Sequence, residues 1–421
     1  MSVEENRPRP SLNRRSFMRG TAAALAFPSL AAFLEACSKS PGGSAGASAL
    51  PTFSVASPTN PVKWDIPATN KAIASGLTPE QGGVVNIYTY TDYIDPEALK
   101  SFEAKYKKYN VKALVTTFED TTEAITKIRS GGVNVDLYNP SYDQLGKLIK
   151  TELIQPLNHD YIPNIANVWP EFTNPFYDQE WRYTTPYTVY TTGIAWRADK
   201  VTADIAAMPN PYDSLWDPTY SKKLSVLDDY RTCMGMVAFR NNLSPNTTNP
   251  DDLKLIHKQL TELNQTMMPK VNVTDYQDLP TGVVEICQAW SGDAINMQSY
   301  MPKDQSADVL RYWFPSDGKG AIDNDLLVIT KTCKSPVLAH LFLDHMMEYD
   351  VAIGNFGAIG YQPPQTKITP AKLVSDQFIP QNLSAAVVLP AYFDTGQRSL
   401  ELSPADDSAW QLIWQQFKAG A

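Results

Sequence analysis

The chain has 421 residues, 43% of them hydrophobic and 19% charged, and a formal net charge of −9. That balance fits a globular protein of two domains and excludes a disordered chain. Residues 1–36 hold five arginines (7, 9, 14, 15, 19) and three glutamates (4, 5, 35), a net +2, so the remainder carries −11; this argues against nucleic acid and permits cationic solutes.

The first 37 residues read as an address. Asn13-Arg14-Arg15-Ser16-Phe17-Met18-Arg19 looks like a twin-arginine export signal, carried by Arg14 and Arg15. The apolar run Thr21–Leu34 is too short and Ala-rich for a permanent span. It ends Leu34-Glu35-Ala36-Cys37, which resembles a bacterial lipoprotein box with Cys37 acylated as the new N-terminus. The expectation is an exported protein held by lipid at the outer face of the cytoplasmic membrane or in the periplasm. Cys233, Cys287 and Cys333 have no Cys-x-x-Cys spacing, so neither a zinc site nor a disulfide framework is implied. Three thiols, or one disulfide and one thiol, remain open.

Ser38–Asn60 reads as a flexible tether. Its Gly42-Gly43-Ser44-Ala45-Gly46 mimics a nucleophile elbow but lacks the strand and helix such a turn needs. Lys63–Gly82 carries Trp64, Ile66, Ile73 and Leu77, enough to dock on a domain.

From Val84 the pattern is βαβαβα. Val84, Val85, Ile87, Tyr88 and Tyr90 form a buried strand that runs into Thr91-Asp92-Tyr93, and Asp95-Pro96 opens a helix. A carboxylate among aromatic rings at a strand's carboxyl end suits an organic cation; the bland alternative is a loop with surface tyrosines and a capping Asp. A strand at Val111–Thr117, a helix at Thr121–Ser130 ended by Gly131-Gly132, a strand at Val133–Tyr138 and a helix with Leu145, Leu148 and Ile149 follow. This alternation implies a mainly parallel sheet covered on both faces. Thr184–Trp196 is a candidate crossover between lobes. A second α/β unit has strands at Leu224–Leu227, Val283–Trp290, Arg311–Phe314 and Asp325–Ile329, and helices after Arg231, at 253–263, after Trp290 and at Pro336–Met347. Gly354–Gly360 reads as a Gly-rich turn and Ala409–Lys418 as a closing helix.

Enzyme signals are thin. His159, His257, His340 and His345 form no metal-binding spacing and read as core or half-buried residues. There is no phosphate loop, dinucleotide fingerprint or catalytic triad, so no catalysis, cofactor or metal is expected. What repeats is a layout of acids and aromatics at strand ends: Asp92 with Tyr90 and Tyr93, Asp229 with Tyr230, Trp290 with Asp293, and Asp323 with Asp325. Asp228, Asp229 and Asp293 could each be helix caps; Asp228 is assigned that role.

From about Gly82 onward the chain resembles the spermidine/putrescine-binding proteins of bacterial ABC importers. The landmarks are Ile87-Tyr88-Thr89-Tyr90-Thr91-Asp92-Tyr93, Asp136-Leu137-Tyr138-Asn139-Pro140-Ser141, Trp216-Asp217-Pro218-Thr219-Tyr220, Leu227-Asp228-Asp229-Tyr230-Arg231, Ala289-Trp290-Ser291-Gly292 and Ile359-Gly360-Tyr361-Gln362-Pro363-Pro364. The resemblance implies an α/β, two-lobed periplasmic-binding-protein fold of type II with hinge strands between lobes. It implies lobe 1 at 83–191 plus 324–371 and lobe 2 at 192–323 plus 372–421. It further implies a monomer that closes on a linear polyamine and delivers it to ABC permease subunits. The family's ligand positions fall on Tyr90, Thr91, Asp92, Tyr93, Ser141, Asp229, Trp290, Asp325 and Tyr361. Asp143 stands where members often carry Tyr, Thr232 where a second acid sits, and Asp323 where a Trp walls the site; Asp143 and Asp323 therefore join the candidate set. The alternatives are another organic cation, an amino-acid derivative or a metal chelate on the same fold and, more distantly, a secreted enzyme.

Overall fold

The computed structural model describes residues 55–119 and 121–420. Arg14, Arg15 and Cys37, and with them the export and lipidation readings, lie outside the described residues, as does most of the tether. The strands are β1 (Val84–Tyr90), β2 (Lys112–Phe118), β3 (Leu137–Tyr138), β4 (Thr184–Arg197), β5 (Leu224–Leu227), β6 (Lys270–Asn272), β7 (Ile286–Trp290), β8 (Leu310–Trp313) and β9 (Ala321–Ile329). They form one sheet in the order β2-β1-β3-β9-β4-β7-β5-β6, with β8 also paired to β4. β1 runs parallel to β2 and β3, and β5 runs parallel to β6 and β7. Between these two parallel triples β9 and β4 lie antiparallel to each other and to their outer neighbours. The expectation of a mainly parallel sheet thus holds within each triple and fails at the centre, where two strands cross from one triple to the other.

Helices α1 (Pro96–Lys105), α2 (Thr121–Ser130) and α3 (Leu145–Lys150) follow the first three strands. Helices α4 (Tyr230–Arg240), α5 (Pro250–Met267), α6 (Asp275–Asp278) and α7 (Ser291–Asn296) belong to the second triple, and α8 (Pro336–Met346), α9 (Tyr349–Ile359), α10 (Pro370–Ser375), α11 (Tyr392–Thr395) and α12 (Pro404–Lys418) follow β9. Asp95 caps α1 through the Glu97 amide, as its place before Pro96 implies. Val85, Ile87, Phe102 and Phe342 fill one face of the first triple, and Tyr88, Tyr138, Leu148 and Phe172 fill the other. Cys287, Ile295, Tyr312 and Phe356 share the core beside β7.

Some expectations need correction. Gly354 and Gly357 lie inside α9, and only Gly360 leaves it, as a left-handed cap with φ 79°. Helix packing overrides the glycines' weak propensity, since Ala352, Phe356 and Ile359 are all buried. In 63–82, Ile66 and Leu77 stay exposed. Trp64 does pack against the domain core, and polar groups add to the docking: Trp64 Nε1 donates to the Tyr177 carbonyl at 2.7 Å and Asn70 Nδ2 to the Ile154 carbonyl at 2.8 Å. His159 is exposed, against expectation, with Nε2 2.7 Å from the Trp181 carbonyl. Cys233, Cys287 and Cys333 are all free thiols.

Candidate functional site

The carboxyl ends of β1, β3, β5 and β7 converge on one cavity of about 150 Å³. Ligand sites in open α/β sheets lie at such ends, where each strand stops and its backbone turns toward a helix. β1 delivers Tyr90, Thr91, Asp92 and Tyr93; the turn after β3 delivers Ser141 and Asp143; the turn after β5 delivers Asp229; β7 ends on Trp290. Asp323 and Asp325, two apart on β9, reach the same space, and Tyr361 enters just past the α9 cap. All of the sequence-selected site residues therefore line one cavity.

Its floor is aromatic. The Tyr93 and Tyr361 rings meet edge to face at 4.7 Å, and Tyr190 stands 5.9 Å from Tyr361 and 6.3 Å from Trp290. Asp325, only 6% exposed, accepts from the Tyr93 hydroxyl at 2.9 Å, while Tyr190 lies 3.4 Å away. Burial pushes the Asp325 carboxyl up to about 7, with Asp323 adding repulsion and the tyrosine hydrogen bonds opposing. Burial likewise lifts Asp323 to about 6, although the Tyr142 hydroxyl donates to it at 2.5 Å and the Ser399 amide at 3.2 Å. Asp229 is raised by burial, with Asp143 adding repulsion. Asp293 accepts from the Tyr361 hydroxyl at 2.8 Å and is raised to about 7 by burial. Tyr90, Tyr93, Tyr190 and Tyr361 are all pushed well up, chiefly by burial, so their hydroxyls stay protonated donors.

Cations are nearly absent from this lining: Arg231 is the one basic residue among those described. Its guanidinium is turned to protein acceptors, giving NH1 to the Leu400 carbonyl at 2.7 Å and NH2 to Asn246 Oδ1 at 2.7 Å. Against it stand Asp92, Glu119, Asp143, Asp229, Asp293, Asp323 and Asp325. Carboxylates confined together in a low-dielectric cleft repel, and an incoming cation relieves that repulsion. The arrangement can bind a cation with an apolar body; it offers no cradle for an anion.

Two assignments change. Asp229, not Asp228, caps α4, accepting from the Thr232 amide at 2.7 Å. Asp228 is not in this cavity's lining and pairs with Lys418 Nζ at 2.7 and 2.8 Å. Asp293 sits within α7 and caps nothing. Asp92 is exposed at the rim, in a left-handed conformation with φ 54°, and accepts from the hydroxyls of Tyr276 at 3.1 Å and Tyr300 at 3.2 Å. It joins the β1 side to the α6–α7 side across the cavity mouth.

Residues 97–380 match the family model for bacterial extracellular solute-binding proteins. The chain belongs to this family. It is a family of solute-binding transporter components, not of enzymes. A spermidine/putrescine-binding periplasmic protein of Salmonella typhimurium is 26% identical over 359 residues, 83% of this chain and 96% of that protein. A putrescine-binding periplasmic protein of Escherichia coli is 25% identical over 293 residues, 66% of this chain and 77% of the relative. Among solved structures, the spermidine/putrescine ABC transporter substrate-binding protein PotD from Streptococcus pneumoniae, in complex with calcium and HEPES, aligns with TM-score 0.63 at 25% identity, covering 80% of this chain and 99% of that one. Within this chain the β4–β9 pair joins the two parallel triples.

Several lining residues were not singled out from sequence. Tyr190 was hidden in the crossover run, where an alternating strand gives no hint which tyrosine faces the cleft. Tyr142 and Tyr276 sit in single-turn helices whose short span carries no periodic signal. Asp275 does not line the cavity but lies 1% exposed against Asp293, which does, and carries no motif; burial and the Asp293 charge hold its carboxyl well above the usual range.

Proposed function

We propose that the protein captures a linear polyamine, putrescine- or spermidine-like, between its two lobes and delivers it to ABC permease subunits. The observation that carries this is the seven-acid, tyrosine- and tryptophan-lined cavity whose single basic side chain is already engaged. Alkyl ammonium groups have pKa near ~10 and are charged at neutral pH. Carboxylates pair with them, and aromatic faces stack on ammonium and methylene groups. Asp325 and Asp229 serve as the desolvated partners, with Asp143 and Asp323 beside them; Tyr90, Tyr93, Trp290 and Tyr361 wall the methylenes; Thr91, Asp92 and Ser141 complete the rim. The names of the relatives support the same ligand class.

The lobes are assigned as 83–191 plus 324–371 and 192–323 plus 372–421. In support, β4 pairs with β9 up to Thr192 and with β7 from Thr192 onward. Export through Arg14 and Arg15 and anchoring by acylated Cys37 complete the proposal, with the protein acting as a monomer; acyl label retained by Cys37→Ala would overturn the anchor. A thermal-shift screen of polyamines, amino acids and metal chelates tests the ligand class. A polyamine at ~100 times its Kd is expected to stabilise by about 2.7 kcal/mol. A shift with amino acids or chelates alone would contradict the reading.

A further inference from the structure

A second chamber of about 370 Å³ opens from the cavity toward α12. Tyr90, Glu119, Asp229, Tyr230, Val273 and Trp290 line both spaces, so the two are continuous. Tyr90 and Trp290 stand on the shared wall, and the Asp229 carboxylate lies at the junction. Beyond it the outer chamber already contains a complete ammonium site. Lys418 Nζ lies 2.7 and 2.8 Å from the two oxygens of Asp228 and 5.8 Å from the centroid of the Trp414 ring. A carboxylate on one side and an indole face on the other is the recognition chemistry of the inner cavity. The occupant, however, comes from the chain itself: Lys418 is the last residue of α12, and its side chain is 43% exposed. An ion pair this exposed is worth little and exchanges readily.

We infer that the outer chamber is a second ammonium subsite, held here by Lys418, that takes the far cationic end of a ligand longer than a diamine. A diamine is satisfied between Asp325 and Asp229 and leaves Lys418 in place. A triamine lying along Tyr90 and Trp290 carries its last ammonium past Asp229 and competes with Lys418 for Asp228 and the Trp414 face. Lys418 thereby sets how strongly the longer amine is preferred. The inference rests on the polyamine reading above and adds to it which end of which amine is sensed where.

Titration calorimetry of the purified protein with putrescine and spermidine tests it. Lys418→Ala is expected to raise spermidine affinity about two- to five-fold, the scale of an exposed ion pair, and to leave putrescine unchanged. Adding Asp228→Asn to Lys418→Ala is expected to remove the gain. Lys418 is exposed, and melting curves of the variants check that the fold is intact. Equal changes for the two amines, or no change for spermidine, while both bind the parent protein, would overturn the subsite and leave the polyamine reading standing. Binding of neither amine to the parent would overturn both.

Discussion

Asp325 and Asp229, the two carboxylates proposed to meet the ligand, sit in different surroundings in the cavity. Asp325 is enclosed by tyrosines on the crossing strand β9, whereas Asp229 is half-buried and also holds the first turn of α4. Asn caps a helix about as well as Asp, so Asp229→Asn keeps the cap and removes the charge. Removing one partner of a desolvated ion pair typically costs ~2–5 kcal/mol. Asp325→Asn and Asp229→Asn are each expected to weaken polyamine binding by that order in a calorimetric titration, with little change in melting temperature for Asp229→Asn. Losses no larger than those from Asp→Asn at a surface control such as Asp308 would mean that neither carboxylate meets the ligand. The pH dependence follows from burial. With its carboxyl raised to about 7, Asp325 holds a proton in the free cleft below that pH, and an ammonium must expel it. Affinity is therefore expected to rise from pH 5 to about pH 7–8 and then level until the amine itself deprotonates toward pH ~10. The same shift makes the free protein lose stability as pH rises from about 4 to 7, because the folded state binds a proton that the unfolded chain has released. Titrations at pH 5.5 and 8 check the sign; a pH-independent affinity, or one that falls with pH, contradicts it.

At the scale of elements, the site depends on α7 and the end of α9 approaching closely enough for Tyr361 to reach Asp293. Gly292 and Gly360 make that possible. A Cβ on Gly292 would lie 2.3 Å from the Tyr361 ring, and one on Gly360 would lie 2.3 Å from the Gly292 carbonyl. Gly292→Ala is expected to cost ~1–3 kcal/mol through overpacking and to displace Tyr361 from the cleft, lowering both melting temperature and polyamine affinity. An unchanged melt together with unchanged binding would refute the close approach. Strands ending on an acid and a ring were readable in the sequence because β-branched runs such as Val84–Ile87 announce a buried strand and the next residues must then occupy its carboxyl end. Which of two adjacent acids would cap was not readable: Asp228 and Asp229 are chemically alike, and only the chain's exit from β5 turns Asp229 toward the Thr232 amide. Nor was the helical state of Gly354–Gly357, because the burial of Phe356 that enforces it is a tertiary fact. The antiparallel centre of the sheet was equally hidden, since β4 and β9 lie far apart in sequence and strand direction leaves no local mark.

Across the whole molecule, two parallel α/β triples face one cavity and are joined through β4 and β9. The Asp92 carboxylate meets Tyr276 and Tyr300 across the mouth, so the two sides already touch at the rim. On the proposed reading a ligand does not have to organise the site; it neutralises the charge that crowds it, in a cleft where low dielectric strengthens each ion pair. The most direct test is a calorimetric titration of the wild-type protein with spermidine and putrescine at pH 8, with glutamate as an anionic control. The account predicts saturable one-to-one binding of at least one of the two amines, lost in large part in Asp325→Asn, and none of glutamate. Binding of glutamate, or no heat and no saturation with either amine, would contradict it.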